Sequence, residues 1–277
     1  MTIDCHTHIF PPQICNQREA YFKNEPAFSL LYDSPRSKLI TSDQLIEMMD
    51  HHHIDQSIIF GFPWKQSHLF QMNNDYILET VAKYPQRVIG FCTMDIENSK
   101  SLADAERCLN NGLKGIGELA FYDSDMSIDL LEPFMSLCKI KSCPLMLHTN
   151  EPVGHIYPGK TANTLNQLYQ IAKRFPDNTI IYAHWGGGLF FYNLLKKEVQ
   201  DTLKNVYFDT AASPFLYNTS IWQMADSIIG SHKILFGTDY PLLSPDRYFN
   251  EINQSGLEQN KIDLILGKNI HGLIYQS

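Results

Sequence analysis

Short apolar runs rich in β-branched residues alternate along this chain with longer segments whose apolar positions recur at helical spacing. The runs are Ile3–His8, Gln56–Gly61, Val88–Thr93, Gly115–Leu119, Leu145–His148, Thr179–His184, Val206–Asp209 and Ile234–Gly237. Each has the length of a buried strand. The intervening segments carry helix end signals. The first, about Thr41–His53, opens on a Thr41/Gln44 capping box and carries a Leu45, Ile46, Met48, Met49 stripe. Further helices are expected near Asn73–Tyr84 and Thr164–Phe175, each stopping before a proline, and near Ser99–Asn111, stopped by Gly112. Others are expected near Asp129–Lys141, Leu189–Leu203, Ser220–Ile229 and Gln259–Leu266.

Strand and helix alternating through the whole length predict an α/β chain folded as one (β/α)8 TIM barrel domain spanning 1–277. A doubly wound sheet usually carries a glycine-rich turn after its first strand. Here Ile9-Phe10-Pro11-Pro12 follows. Two connections are long, Ile9–Ile40 and Thr149–Asn163, and both leave C-terminal strand ends, where barrel enzymes build their sites. The aromatics of the first (Tyr21, Phe22, Phe28, Tyr32) either pack that loop down or roof a pocket.

Composition narrows the options. With 277 residues the chain can bury roughly 75% of its unfolded surface, so a core needs no staples. A net charge of -8 argues against a nucleic-acid partner held on a basic face. No run reaches the roughly 18 apolar residues of a membrane span, and no signal peptide is visible. The six cysteines form no Cys-x-x-Cys pair and read as reduced, buried thiols. A cytoplasmic location is expected.

The candidate chemistry sits at the strand ends. His6 and His8 lie two apart on the first strand, so they face one side and can share a cation. Glu118, His148, His184, Asp209 and Asp239 each close or follow a later strand run. A barrel points those ends at one axis. Imidazole and carboxylate around an open position is a Zn²⁺ donor set, with Mn²⁺, Fe²⁺ or Co²⁺ also accommodated. Asp4 is placed to accept the second N–H of a ligand histidine, or to serve as a structural carboxylate. Trp64, Trp185 and Arg247 follow strands 2, 6 and 8 and are candidates for substrate contact, with Lys65, His155, Tyr157 and Lys160 weaker ones. Gly186-Gly187-Gly188 opens either a ligand approach or a tight turn. His51-His52-His53 falls at a helix C-terminus, away from the site, where the helix dipole favours it.

The ordered set Asp4-Cys5-His6-Thr7-His8, Leu147-His148, Ala183-His184-Trp185-Gly186-Gly187-Gly188, Asn205-Val206-Tyr207-Phe208-Asp209-Thr210 and Phe236-Gly237-Thr238-Asp239-Tyr240-Pro241 resembles the amidohydrolase superfamily. The branch it is similar to contains aminocarboxymuconate-semialdehyde decarboxylase and related metal-dependent hydrolases. The resemblance implies His6, His8, His148 and Asp239 as metal ligands and Asp239 with His184 as catalytic groups. His184 would also ligate if a second metal binds. Glu118 stands where binuclear relatives carry a carboxylated lysine, and is expected to touch metal. One or two ions are thus implied, and a homodimer by analogy.

Two activities use this set. In a hydrolase of an amide, ester or lactone, a metal lowers the pKa of its water towards 7, Asp239 moves the proton and His184 holds the oxyanion. In a nonoxidative decarboxylase, the metal binds substrate oxygens and His184 or Asp239 protonates the carbon that loses CO2. Glu118 tips the expectation to hydrolysis of a small, carboxylated substrate. A metal-binding barrel without catalysis is the third possibility.

Overall fold

The computed structural model describes residues 1–122 and 126–275. Among these, eight parallel strands form one sheet in sequential order: β1 (Ile3–His8), β2 (Gln56–Phe60), β3 (Val88–Cys92), β4 (Gly115–Leu119), β5 (Leu145–Leu147), β6 (Ile180–Tyr182), β7 (Val206–Asp209) and β8 (Ile234–Leu235). The sheet closes where Cys5 N donates to Phe236 O at 2.8 Å and His8 N to Tyr240 O at 2.9 Å. The expected (β/α)8 barrel is therefore observed. All eight expected runs contain strands, because each combines β-forming side chains with burial on both faces.

Two apolar layers hold it. Ile3, Cys5, Ile58, Phe60, Ile89, Phe91, Met146, Ile181 and Leu235 pack together, capped by Ile270 and Ile274 of the last helix. The larger core fills the space between sheet and helices. In β1 the pairing advances from Asp4↔Ser57 to Thr7↔Ile59, so β1 spends three residues against two on β2. This bulge resets the alternation. Cys5 joins the lower core layer, while His6 and His8 stand together above it.

Three segments depart from expectation. The predicted helix over Leu189–Leu203 is instead a run of tight turns, His184–Leu194, followed by a short helix, Lys197–Thr202. Residues Trp185 to Gly188 all have positive φ, which a right-handed helix cannot contain. A helix at Pro245–Gln254, unpredicted, carries Arg247; Pro245 at its first turn is a start signal. The last helix runs on from Gln259–Asp263 through a π turn, Leu264–Lys268, to Asn269–Tyr275. Gly267 sits inside it because a Cβ there would lie 2.5 Å from the Met1 carbonyl oxygen.

The loop after β1 is folded into short helices at Pro12–Asn16 and Pro26–Tyr32. Phe10, Phe28, Phe62 and Trp64 interlock beneath it, with Phe28 and Trp64 rings 4.3 Å apart. No described helix is long and apolar enough to cross a membrane.

Candidate metal centre at the barrel mouth

Six side chains from five strand ends converge. His6 and His8 project from β1 over the edge of Phe60, whose ring centroid lies 5.0 and 4.7 Å from theirs. Asp239 follows β8 in a left-handed conformation, φ 63°, anchored by its own N–H to His6 O at 2.9 Å. That turn aims its Oδ1 at His8 Nε2 (3.4 Å) and His6 Nε2 (3.6 Å). Glu118 Oε2, from β4, faces the same nitrogens at 3.6 and 3.8 Å.

The hydrogen bonds behind the rings fix which nitrogen faces inward. His6 Nδ1 meets Asp209 Oδ2 at 2.9 Å, so the ring donates there and keeps its Nε2 lone pair inward. His8 Nδ1 donates to Gly61 O at 3.1 Å, with the same result. His6 Nε2 is buried and has no hydrogen-bond partner. A buried, unpartnered nitrogen facing two carboxylates calls for positive charge, either a proton on the ring or a cation between them. Ligand atoms about 2.1 Å from a tetrahedral ion lie roughly 3.4 Å from one another. The imidazole–carboxylate edges of 3.4 to 3.8 Å are near that value, and the donors fall into two sets sharing His6, one with His8 and Asp239 and one with Glu118 and His184. The donor set therefore fits a divalent cation, and Asp209 behind His6 has the carboxylate–histidine arrangement of a metal site.

Glu118 has a second side. Its Oε1 lies 3.0 Å from His148 Nδ1 and 3.4 Å from His184 Nε2, and those nitrogens are 3.2 Å apart. His148 Nε2 is 2.9 Å from Gly159 O, and His184 Nδ1 is 3.0 Å from Ala211 O, so both outer nitrogens donate to carbonyls. The inner three atoms would all be acceptors if none carried hydrogen. At least one proton is thus shared within this triangle.

Electrostatics follows. Burial opposes charge on His6, but Glu118, Asp209 and Asp239 outweigh it and push its pKa up to about 10. Burial likewise opposes charge on His184, and Glu118 with Asp239 lifts it to about 8. Burial alone would raise Glu118 and Asp239, but the facing imidazoles hold both below the usual carboxylate range. Such proton affinity marks a cluster short of positive charge.

The expected residues are distributed unevenly. His6, His8, Glu118, His184 and Asp239 supply the two sets of converging donor atoms. His148 reaches the cluster only through Glu118 and His184, with its Nε2 turned to the loop after β5. Trp64 and Trp185 are fully buried, their N–H groups bound to Asn73 and Ser213, so in this structure both belong to the core. Arg247 is half-exposed on its helix, bonded to Pro214 O and paired with Glu251. Asp4 accepts from Thr238 and from His6 N, tying β1 to β8; Asp209, rather than Asp4, takes the histidine N–H. A Cβ on Gly187 would strike the Asn150 carbonyl and one on Gly186 the Phe208 ring, so these glycines serve backbone and core contacts. Lys160 and Tyr157 bind Glu151 within the β5 loop.

Sequence reading gave Asp209 no role, although a carboxylate ending an apolar strand was the signal. Tyr122 was also missed at the mouth, where Tyr32, named among the loop aromatics, lies near the same carboxylates. Burial chiefly, then the charges of Glu118 and Asp239, push both phenols up, so both stay protonated. Tyr122 lies 5.5 Å from the His148 ring.

Fold and cluster together define a (β/α)8 barrel with a cation-receptive histidine–carboxylate centre at its strand ends. The chain belongs to the amidohydrolase family, whose model matches residues 3–271. It is 23% identical over 283 residues to gamma-resorcylate decarboxylase of Polaromonas sp. (strain JS666 / ATCC BAA-500), covering 82% of this chain and 86% of that protein. It is 22% identical over 297 residues to 2-amino-3-carboxymuconate-6-semialdehyde decarboxylase of Dictyostelium discoideum, covering 87% and 82%. The fold matches 5-carboxyvanillate decarboxylase from Novosphingobium aromaticivorans DSM 12444, solved with manganese and 4-hydroxy-3-methoxy-5-nitrobenzoic acid, at a TM-score of 0.79. That match has 15% identity over 99% of this chain and 96% of the other.

Proposed function

We propose that this protein is a divalent-metal-dependent nonoxidative decarboxylase of a small acid whose carboxylate sits on an unsaturated carbon. The supporting observation is similarity along most of the chain to two relatives that are both named decarboxylases. The choice reverses the preference for hydrolysis drawn from Glu118. Both activities fit the donor set, and Glu118, lying against His148 and His184 as a carboxylate, also favours a proton on His184.

His6, His8 and Asp239, with Glu118, would hold the ion, and manganese or zinc suits that mixed set. When bound, the ion supplies a positive centre for the substrate's carboxylate and adjoining oxygen. The chain's own residues do the rest. Breaking the C–CO2 bond leaves an electron pair on carbon, which must take a proton. His184 Nε2, 3.4 Å from Glu118 Oε1, would hold that proton; in the metal-free protein Glu118 lifts the histidine's pKa to about 8 against burial. Its Nδ1 bond to Ala211 O keeps the ring from turning. Tyr32 and Tyr122 are neutral donors for substrate oxygens.

Protein loaded with Mn²⁺ or Zn²⁺ should release CO2 from gamma-resorcylate, 5-carboxyvanillate or 2-amino-3-carboxymuconate-6-semialdehyde, and Asp239→Asn should abolish release. Hydrolysis of lactone, ester or amide substrates with no CO2 from any acid would overturn this reading.

A further inference from the structure

Three helices returning to the barrel floor end in one way. After Ser42–His51, Ser101–Asn110 and Ile128–Lys141 comes a residue of positive φ: His53 (56°), Gly112 (106°) and Ser142 (51°). The next amide bonds back five residues: Ile54 N to Met49 O at 2.9 Å, Leu113 N to Cys108 O at 3.2 Å, Cys143 N to Cys138 O at 3.0 Å. The positive-φ residue makes the inner bond, to Asp50, Leu109 and Lys139 respectively. This is the Schellman ending, and it brings together the side chains at the two ends of its outer bond. In the first two helices those pairs are Met49 with Ile54 and Cys108 with Leu113, all buried. In the third they are two thiols, each of which perturbs the other's ionisation, with Cys138 Sγ donating to Pro144 O at 3.9 Å. Cys138 is buried and Cys143 is half-buried.

We propose that Cys138 and Cys143 are a reversible dithiol modification site, oxidised by hydrogen peroxide to a disulfide within the folded protein. The pair lies at the opposite end of β5 from His148 and is independent of the metal centre. Cys143 is the sulfur solvent can reach. The Cys138 thiol and Lys141 favour its thiolate despite partial burial, as attack requires. The Cys143 thiolate attacks one peroxide oxygen; an S–O bond forms, the O–O bond breaks, and hydroxide leaves to become water. Cys138 sulfur then attacks Cys143 sulfur, losing its proton as the S–O bond breaks and a second water leaves. Two thiols are oxidised and one peroxide is reduced. No helix need unwind, because the ending already places the two residues side by side, Cys143 N bonding to Cys138 O at 3.0 Å.

The molecule contains its own control. Cys92 and Cys108 are also neighbouring thiols, but both are fully buried and donate to Gly115 O and Asp104 Oδ2. Native protein treated with dilute peroxide should lose two titratable thiols and two hydrogens in mass, restored by dithiothreitol. Because Lys139 and Lys141 lie between the cysteines, a tryptic digest should contain two peptides joined through Cys138 and Cys143. Cys143→Ser should lose no thiols, and in Cys138→Ser the lone Cys143 should proceed to sulfinic acid. Wild-type protein that keeps all its thiols, loses Cys92 and Cys108 instead, or carries sulfinic Cys143 beside free Cys138 would overturn the proposal.

Discussion

Asp209→Asn isolates what the buried carboxylate does for His6. The native side chain accepts three hydrogen bonds, from His6 Nδ1 (2.9 Å), His184 N (2.9 Å) and Ala211 N (3.0 Å). An amide cannot accept all three. If its oxygen faces His6, its NH2 confronts two buried backbone N–H groups, each stranded at a cost of about 1–3 kcal/mol. If its oxygen faces the backbone, NH2 confronts His6 Nδ1, and the ring must carry its hydrogen on Nε2, removing the lone pair from the centre. The second arrangement keeps all three bonds, with donor and acceptor exchanged at His6, so it should prevail. Stability should then fall by only about 1 kcal/mol, whereas metal affinity should fall about 10- to 100-fold, the usual effect of removing a ligand histidine's partner. The lost charge also weakens proton competition at His6, but a divalent ion feels that loss twice as strongly as a proton. Competition against a chelating dye, with Mn²⁺ or Zn²⁺ and the metal-free protein, measures the affinity, and urea unfolding measures the stability. Affinity within twofold of wild type would refute the role given to Asp209.

Three further outcomes follow. In metal-free protein His6 holds its proton up to about pH 10 and His184 up to about 8, so binding at neutral pH releases protons and affinity should rise with pH between 6 and 9, by at most about tenfold per unit for each proton; calorimetry in buffers of differing ionisation enthalpy reads the release, and a flat profile contradicts it. The same raised values predict that metal-free protein is most stable below about pH 6.5 and loses that contribution as pH climbs through 8 to 10. Gly187→Ala must place a Cβ against the Asn150 carbonyl at φ 58°, so it should destabilise by about 1–3 kcal/mol, seen as a lower urea midpoint, and an unchanged midpoint would show that this turn gives way.

The strands were legible because a buried parallel strand leaves a local signature, an apolar run, and the ends of β1, β4, β6 and β8 carry the candidate donors with them. His6, His8, Glu118, His184 and Asp239 could be named for that reason. What failed was whatever depends on the direction of a side chain after the strand has ended. Trp64 and Trp185 follow strand ends as closely as His184 does, yet a few backbone dihedrals turn both indoles into the core. The left-handed run Trp185–Gly188 produces that turn, and the helical spacing of Leu189, Phe190 and Leu194 concealed it. His148 shows the same limit within one residue. Its place at the end of β5 was readable, but which nitrogen faces the cluster depends on Gly159, eleven residues later in a loop whose path no periodicity describes. Asp209 marks the opposite case. Its position was visible, but its role becomes visible only when β7 brings it behind a histidine from β1, 203 residues away in the chain. A ligand set is therefore written locally in such a barrel, whereas the groups that select each ligand's tautomer are written in the closure of the sheet.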